Sequence, residues 1–184
     1  MRNQEIILEN YNSVCLYADE PTITSYFHKD LPIYIELSED GIIKRLDVCD
    51  GTIQTSGMVM TQELLTQIEP LVERIMEKEK KLVDSLSETF NQVEKEGEPM
   101  SDEFEDVFYG STSNYNFDIF STNSEIKLYI TNLKTRENIA FKEDFSGYDV
   151  EKIYYKLEKA VMDTFKTISK LEHEVANKVQ DLFA

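Results

Sequence analysis

Residues 115–182 read YNFDIFSTNSEIKLYITNLKTRENIAFKEDFSGYDVEKIYYKLEKAVMDTFKTISKLEHEVANKVQDL, and along them the spacing of apolar side chains changes period once. At first it is two. Tyr115, Phe117 and Ile119, then Ile126, Leu128 and Ile130, then Ile139 and Phe141 alternate with polar neighbours, the pattern of strands with one buried face. The linkers Ser121-Thr122-Asn123-Ser124 and Lys134-Thr135-Arg136-Glu137 are turn-like and too short for parallel crossovers. Three antiparallel strands are therefore expected at 115–121, 125–132 and 138–144. From Val150 the period is three or four: Ile153, Leu157, Val161, Phe165, Ile168, Leu171, Val175, Val179 and Leu182 share one stripe, which predicts an amphipathic helix over about residues 147–182. Ser146 with Asp149 three residues on resembles a capping box with the shorter acid. At about 1.5 Å per residue such a helix is roughly 50 Å long. Three strands do not need so long a cover, so part of the stripe must meet an earlier helix or a second copy of the chain.

The earlier helix is predicted over residues 61–96. Leu64, Ile68, Leu71, Ile75, Leu82, Leu86, Phe90 and Val93 recur at spacings of three, four or seven, with Thr61 as N-cap and Glu63 in the first turn. Pro70 lacks a backbone donor, so a kink or a fresh helix start is expected there. The run Glu77-Lys78-Glu79-Lys80-Lys81 reads as a solvated patch. Ahead of this helix, residues 22–28 are rich in β-branched and aromatic side chains, and Ile33, Ile35 and Leu37 alternate. Ser38-Glu39-Asp40-Gly41 turns the chain into a strand at 42–48, and Asp50-Gly51 turns it again towards a strand near 52–60. In residues 4–18 the clusters Ile6-Ile7-Leu8 and Val14-Cys15-Leu16-Tyr17 flank Asn10-Tyr11-Asn12-Ser13, which fits two strands about a turn or a helix. The fold class is thus α+β: two antiparallel strand meanders, each followed by a long amphipathic helix, with the helices packed together. The organisation is 1–97 and 98–184, as two units or one continuous domain. A duplication is compatible with the shared element order, although no residue-level repeat supports it.

Between Lys95 and Lys127 there is no lysine or arginine. Residues 96–126 hold Glu96, Glu98, Asp102, Glu103, Glu105, Asp106, Asp118 and Glu125, interleaved with Phe104, Phe108, Tyr109, Tyr115, Phe117 and Phe120. The whole chain of 184 residues carries 19 basic and 36 acidic side chains, a formal charge of -17. All of that excess lies in residues 1–126, since residues 127–184 balance. Such a charge opposes direct binding to nucleic acid or an anionic membrane and makes a basic protein surface the natural complement. A composition 41% hydrophobic, with 20 Phe and Tyr, is ample for a core. The N-terminus lacks a signal-peptide layout and no apolar run approaches a membrane span, so a cytoplasmic protein with reduced Cys15 and Cys49 is expected.

Motifs that would announce chemistry are thin. Glu36, Ser38, Asp40, Gly41, Ile43 and Asp47 fall on the template of a calcium loop, but the preceding residues alternate with a strand period, and a hairpin turn is the better reading. His28 with Asp30, near Cys49 and Asp50 if the strands pair, is the one cluster with metal-ligand or catalytic residue types; His173 reads as solvent-facing. Phosphate-binding loops are absent. No catalytic, cofactor or metal site is therefore assigned. Small size, acidity and a vocabulary rich in Lys, Glu, Ile, Asn and Tyr resemble, in composition alone, inhibitors carried by bacteriophages and mobile elements.

The function expected from these features is a non-enzymatic inhibitor. It would bind a basic surface of a nucleic-acid-handling host protein such as a CRISPR nuclease, a restriction enzyme or RNA polymerase. Closely spaced carboxylates can imitate a row of phosphates, and interleaved aromatics can anchor an interface. The residues assigned to it are Glu94, Glu96, Glu98, Asp102, Glu103, Phe104, Glu105, Asp106, Phe108, Tyr109 and Asp118. The alternatives are a scaffold or homodimer formed through the long helices, and an immunity protein against a basic nuclease toxin.

Overall fold

The computed structural model describes residues 8–15, 23–100 and 103–184, the Cys15 side chain excepted. Among them the elements run β1 (Tyr11–Cys15), β2 (Ile23–His28), β3 (Ile33–Ser38), β4 (Ile43–Val48), β5 (Gly51–Thr52), α1 (Gln62–Asn91), β6 (Asp106–Ser111), β7 (Tyr115–Thr122), β8 (Glu125–Asn132), β9 (Asn138–Asp144) and α2 (Val150–Asp181). They form two antiparallel meanders, β1-β2-β3-β4-β5 and β6-β7-β8-β9, each followed by one long helix. The fold is α+β, and the two helices pack on each other.

Two compact units divide the chain at places other than residue 97. One contains the described residues through Glu77 together with Leu171–Ala184; the other is Lys78–Lys170. In the first unit, Ile33, Ile35, Leu46 and Val48 of the sheet pack with Leu65, Ile68, Val72 and Ile75 of α1 and with Val175, Ala176, Val179 and Phe183 at the C-terminus. In the second, Phe117, Ile119, Ile126, Leu128 and Ile130 pack with Val83, Leu86 and Phe90 of α1 and with Ile153, Tyr154, Leu157, Val161 and Ile168 of α2. Each helix thus contributes to both cores. The α2 stripe is covered along its length inside one chain, Ile153 to Ile168 in the second core and Val175 to Val179 in the first.

Several local expectations change. The second meander has four strands, because β6 precedes the three read from their alternation. Its inward positions are Asp106, Phe108 and Gly110, so only one large apolar side chain marks the buried face, and the aromatic pattern runs onto the outward one. Helix α2 starts later than Ser146: Asp149 is the N-cap, its Oδ1 accepting the Lys152 N–H at 3.1 Å, while Ser146 Oγ donates to Asp144 Oδ1 at 2.6 Å. Helix α1 begins after Thr61, whose Oγ1 accepts the Leu64 N–H at 3.2 Å, and continues through Pro70 as one element ending at Asn91. The strand expected at 52–60 is only Gly51–Thr52; Ser56 and Gly57 both take positive φ in a tight turn, after which Val59 bridges back to Ile42. Tyr11, Asn12 and Ser13, read as turn, lie in β1, and Ile6, Ile7, Leu16 and Tyr17 lie outside the described residues.

Turns elsewhere follow their chemistry. Asn123 and Ser124 both have positive φ in the two-residue connection of β7 to β8, the conformation that matches hairpin twist. Gly41, at φ +76°, closes the β3–β4 hairpin, and the residues that mimicked a calcium loop are simply its two strands and turn. Gln180 on α2 brackets the irregular residue Gln54, its side chain accepting from Gln54 N at 2.8 Å and donating to Gln54 O at 2.9 Å.

Candidate functional site

The acid-rich span folds as a lead-in and an edge strand of the second sheet. Phe104 is half-buried and sets its ring edge-on to Tyr154 and Tyr155 of α2, with centroids 5.4 and 5.7 Å away. Phe108 is half-buried against Phe165 at 6.0 Å. Gly110 lies between these rings: a Cβ there would sit 3.0 Å from Phe165 and 3.1 Å from Phe108. Inward-facing residues of the span therefore attach β6 to α2.

Hydrogen bonds define the other side of the strand. Thr112 N donates to Tyr115 O at 2.8 Å, closing the β6–β7 hairpin. In an antiparallel ladder bonded and non-bonded pairs alternate, so Gly110–Phe117, Phe108–Ile119 and Asp106–Ser121 are the bonded pairs. The backbone N–H and C=O of Val107, Tyr109 and Ser111 consequently point off the sheet. The Val107 N–H is satisfied by Asp106 Oδ1 at 2.8 Å, and Asp106 Oδ2 accepts from Tyr155 OH at 3.0 Å. That carboxylate raises the Tyr155 phenol pKa, chiefly through the hydrogen bond.

On the outer face, cross-strand register places Tyr109, Asp118, Tyr129 and Ala140 in one row, and Val107, Phe120, Lys127 and Lys142 in the next. Tyr109 is 69% exposed and Val107 46%. Phe120 and Tyr129 stack at 6.0 Å, and Lys127 Nζ lies 5.8 Å over the Phe120 ring. Asp118 is partly buried between the two tyrosines, and desolvation alone raises its carboxyl above the ordinary range.

The residues assigned from sequence separate into two groups. Folding employs Glu96, whose Oε1 lies 3.4 Å from Lys156 Nζ and whose carbonyl accepts the Asp149 N–H, as well as Asp106, Phe104 and Phe108. Glu94, Glu98, Glu103, Glu105 and Tyr109 are exposed, and Tyr109 and Asp118 are brought side by side. Among the described residues Glu94, Glu98, Glu105 and Asp118 take part in no ion pair. Asp102 lies outside the described residues.

Two polar groups have surroundings other than those expected from sequence. Glu79, in the run expected to be solvated, is wholly buried and accepts from Asn114 Nδ2 at 2.8 Å. His28, considered as a ligand, is a buried structural group: Nδ1 accepts the N–H groups of Asp30 and Leu31 at 3.1 and 2.9 Å, and Nε2 lies 3.9 Å from Glu69, which also accepts from Tyr11 OH at 3.0 Å. Burial and Glu69 together hold the Tyr11 phenol protonated. His173 is exposed, as expected. Among the described residues no group of three or more His, Cys, Asp and Glu side chains could hold a metal, and no helix is long and apolar enough to cross a membrane. A depression beside Met100, Phe104, Tyr148 and Val150 encloses about 10 Å³, far less than a small-molecule site needs.

Comparison with protein-family models, curated proteins and solved structures finds no match to this chain.

Proposed function

We propose that this protein is a non-enzymatic inhibitor that docks the acidic, aromatic surface around β6 onto a basic, nucleic-acid-binding surface of another protein. The observation that carries this is the exposure of Glu94, Glu98, Glu103, Glu105 and Tyr109 in and beside a span without lysine or arginine. Glu94, Glu98 and Glu105 take part in no ion pair among the described residues, so a cationic surface would give them counter-charges and release counterions from its own site. Exposed Tyr109 and Val107 add the apolar contact that a purely ionic interface lacks. Host proteins that manage nucleic acid, among them defence nucleases and RNA polymerase, present such surfaces.

The test is capture of host proteins on the immobilised chain at about 0.05 M and about 0.5 M salt, with duplex DNA as competitor. Nucleic-acid-binding proteins retained at low salt and displaced by DNA are expected. Retention of partners indifferent to both salt and DNA would overturn the proposal.

A further inference from the structure

Strand β6 lies at an edge, pairing on one side with β7. Its outward backbone groups fall on Val107, Tyr109 and Ser111, and the carboxylate of Asp106 closes only the first of them. Among the described residues the outward N–H and C=O of Tyr109 and Ser111 carry no hydrogen bond. Natural sheets usually blunt such an edge with lysine, proline or a bulge. Here the ladder with β7 runs without a register shift, and the flanking charges are all acidic.

We propose that this edge is a strand-addition site for an extended segment carrying lysine or arginine at alternate positions. The guest pairs with Tyr109 and Ser111 and extends the sheet from four strands to five. Its residue opposite Tyr109 projects onto the outer face, because cross-strand partners share a face. A guanidinium there lies against the exposed Tyr109 ring, and a long side chain reaching across that ring along the row is directed toward Asp118, one strand further in. Asp118 has no cation paired with it among the described residues, so a guest cation meets no competing one at this carboxylate. Exposed Glu103 and Glu105 precede β6 and favour further positive charge where the guest runs past the start of the strand. The proposal rests on the basic-partner reading above and specifies its geometry: main-chain hydrogen bonds supply affinity, and alternate basic side chains supply selectivity.

The probe is an octapeptide of alternating arginine and threonine, compared with the same peptide N-methylated on alternate amides, which retains charge but cannot pair on one edge. Ser111→Pro removes an outward N–H at a position where an edge strand tolerates proline, and Ser111→Ala controls for the lost hydroxyl, which donates to Asn116 Oδ1 at 2.6 Å. The unmethylated peptide is expected to bind the wild-type chain, to weaken at least tenfold with Ser111→Pro and with Asp118→Asn, and to stay within about twofold with Ser111→Ala. Amide exchange should slow at Tyr109 and Ser111 on binding. Equal affinity of the two peptides, or no added protection at those amides, would overturn strand addition. Because N-methylation leaves the protein untouched, that result is independent of how the variants fold. Salt-sensitive, DNA-displaced capture of a partner alongside such a failure would leave the docking proposal standing and remove only its strand geometry.

Discussion

Asp118 is a carboxylate on the outer face of β7, opposite Tyr109 on one side and Tyr129 on the other, and burial raises its pKa. The folded protein therefore holds this proton more tightly than the unfolded chain does. Below the ordinary carboxylate pKa both states are protonated and nothing is lost; as pH rises through that value towards the raised folded one, ionisation in the unfolded chain draws stability away. Asp118→Asn is expected to match the wild type at strongly acid pH and to be slightly more stable at neutral pH. Urea melts at the two pH values check it, and an asparagine variant less stable at neutral pH contradicts the assignment. Glu79 illustrates what a single sequence conceals at this scale. Its spacing of four from both Ile75 and Val83 places it on the buried face of α1, so its direction was legible. Its burial was not, because the group that accommodates it, Asn114, lies 35 residues away in the chain.

At the scale of elements, periodicity revealed what has one apolar face and missed what does not. Strands β3, β7, β8 and β9 and both helices follow their stripes to within a few residues of the expected ends. Strand β6 was obscured because glycine and aspartate occupy inward positions, and rings from Phe108 and Phe165 fill the space instead. The same distinction separates the three aromatics expected as anchors: Tyr109 is exposed, whereas Phe104 and Phe108 face α2, and composition alone did not tell them apart. Close approach of elements depends on small residues in a way that hydropathy does not register. A Cβ on Gly51 would stand 2.7 Å from the Ala176 Cβ on α2, so β5 and the helix can meet only with glycine at that place. Gly51→Ala is expected to lower stability by about 1–3 kcal/mol, as overpacking generally does. Chemical denaturation measures this, and a loss below about 0.5 kcal/mol would show that the helix yields without cost.

On the scale of the molecule, the length of α2 matters more than any single stripe position. Val175, Ala176, Val179 and Phe183 belong to the core of the first unit, although they follow the second unit in sequence. Each fully buried valine contributes roughly 1.5–3 kcal/mol, comparable in sum to the stability of a small domain. A chain ending at Lys170 is expected to lose protection from amide exchange at β2, β3 and β4 while retaining it at β7 and β8. Unchanged protection at β3 would refute the shared use of the helix. Charge also belongs to this scale, because 26 acids against 9 bases in residues 1–126 will draw many cationic proteins weakly. On the proposed function a local surface, and not net charge, makes the contact. The most direct measurement compares two variants of equal charge against a captured partner at constant salt: Glu94, Glu98, Glu103 and Glu105 all changed to Gln, and the exposed α1 residues Glu63, Glu73, Glu77 and Glu88 changed likewise. Docking through β6 predicts at least a tenfold loss of affinity for the first and little change for the second; equal losses from both would contradict it.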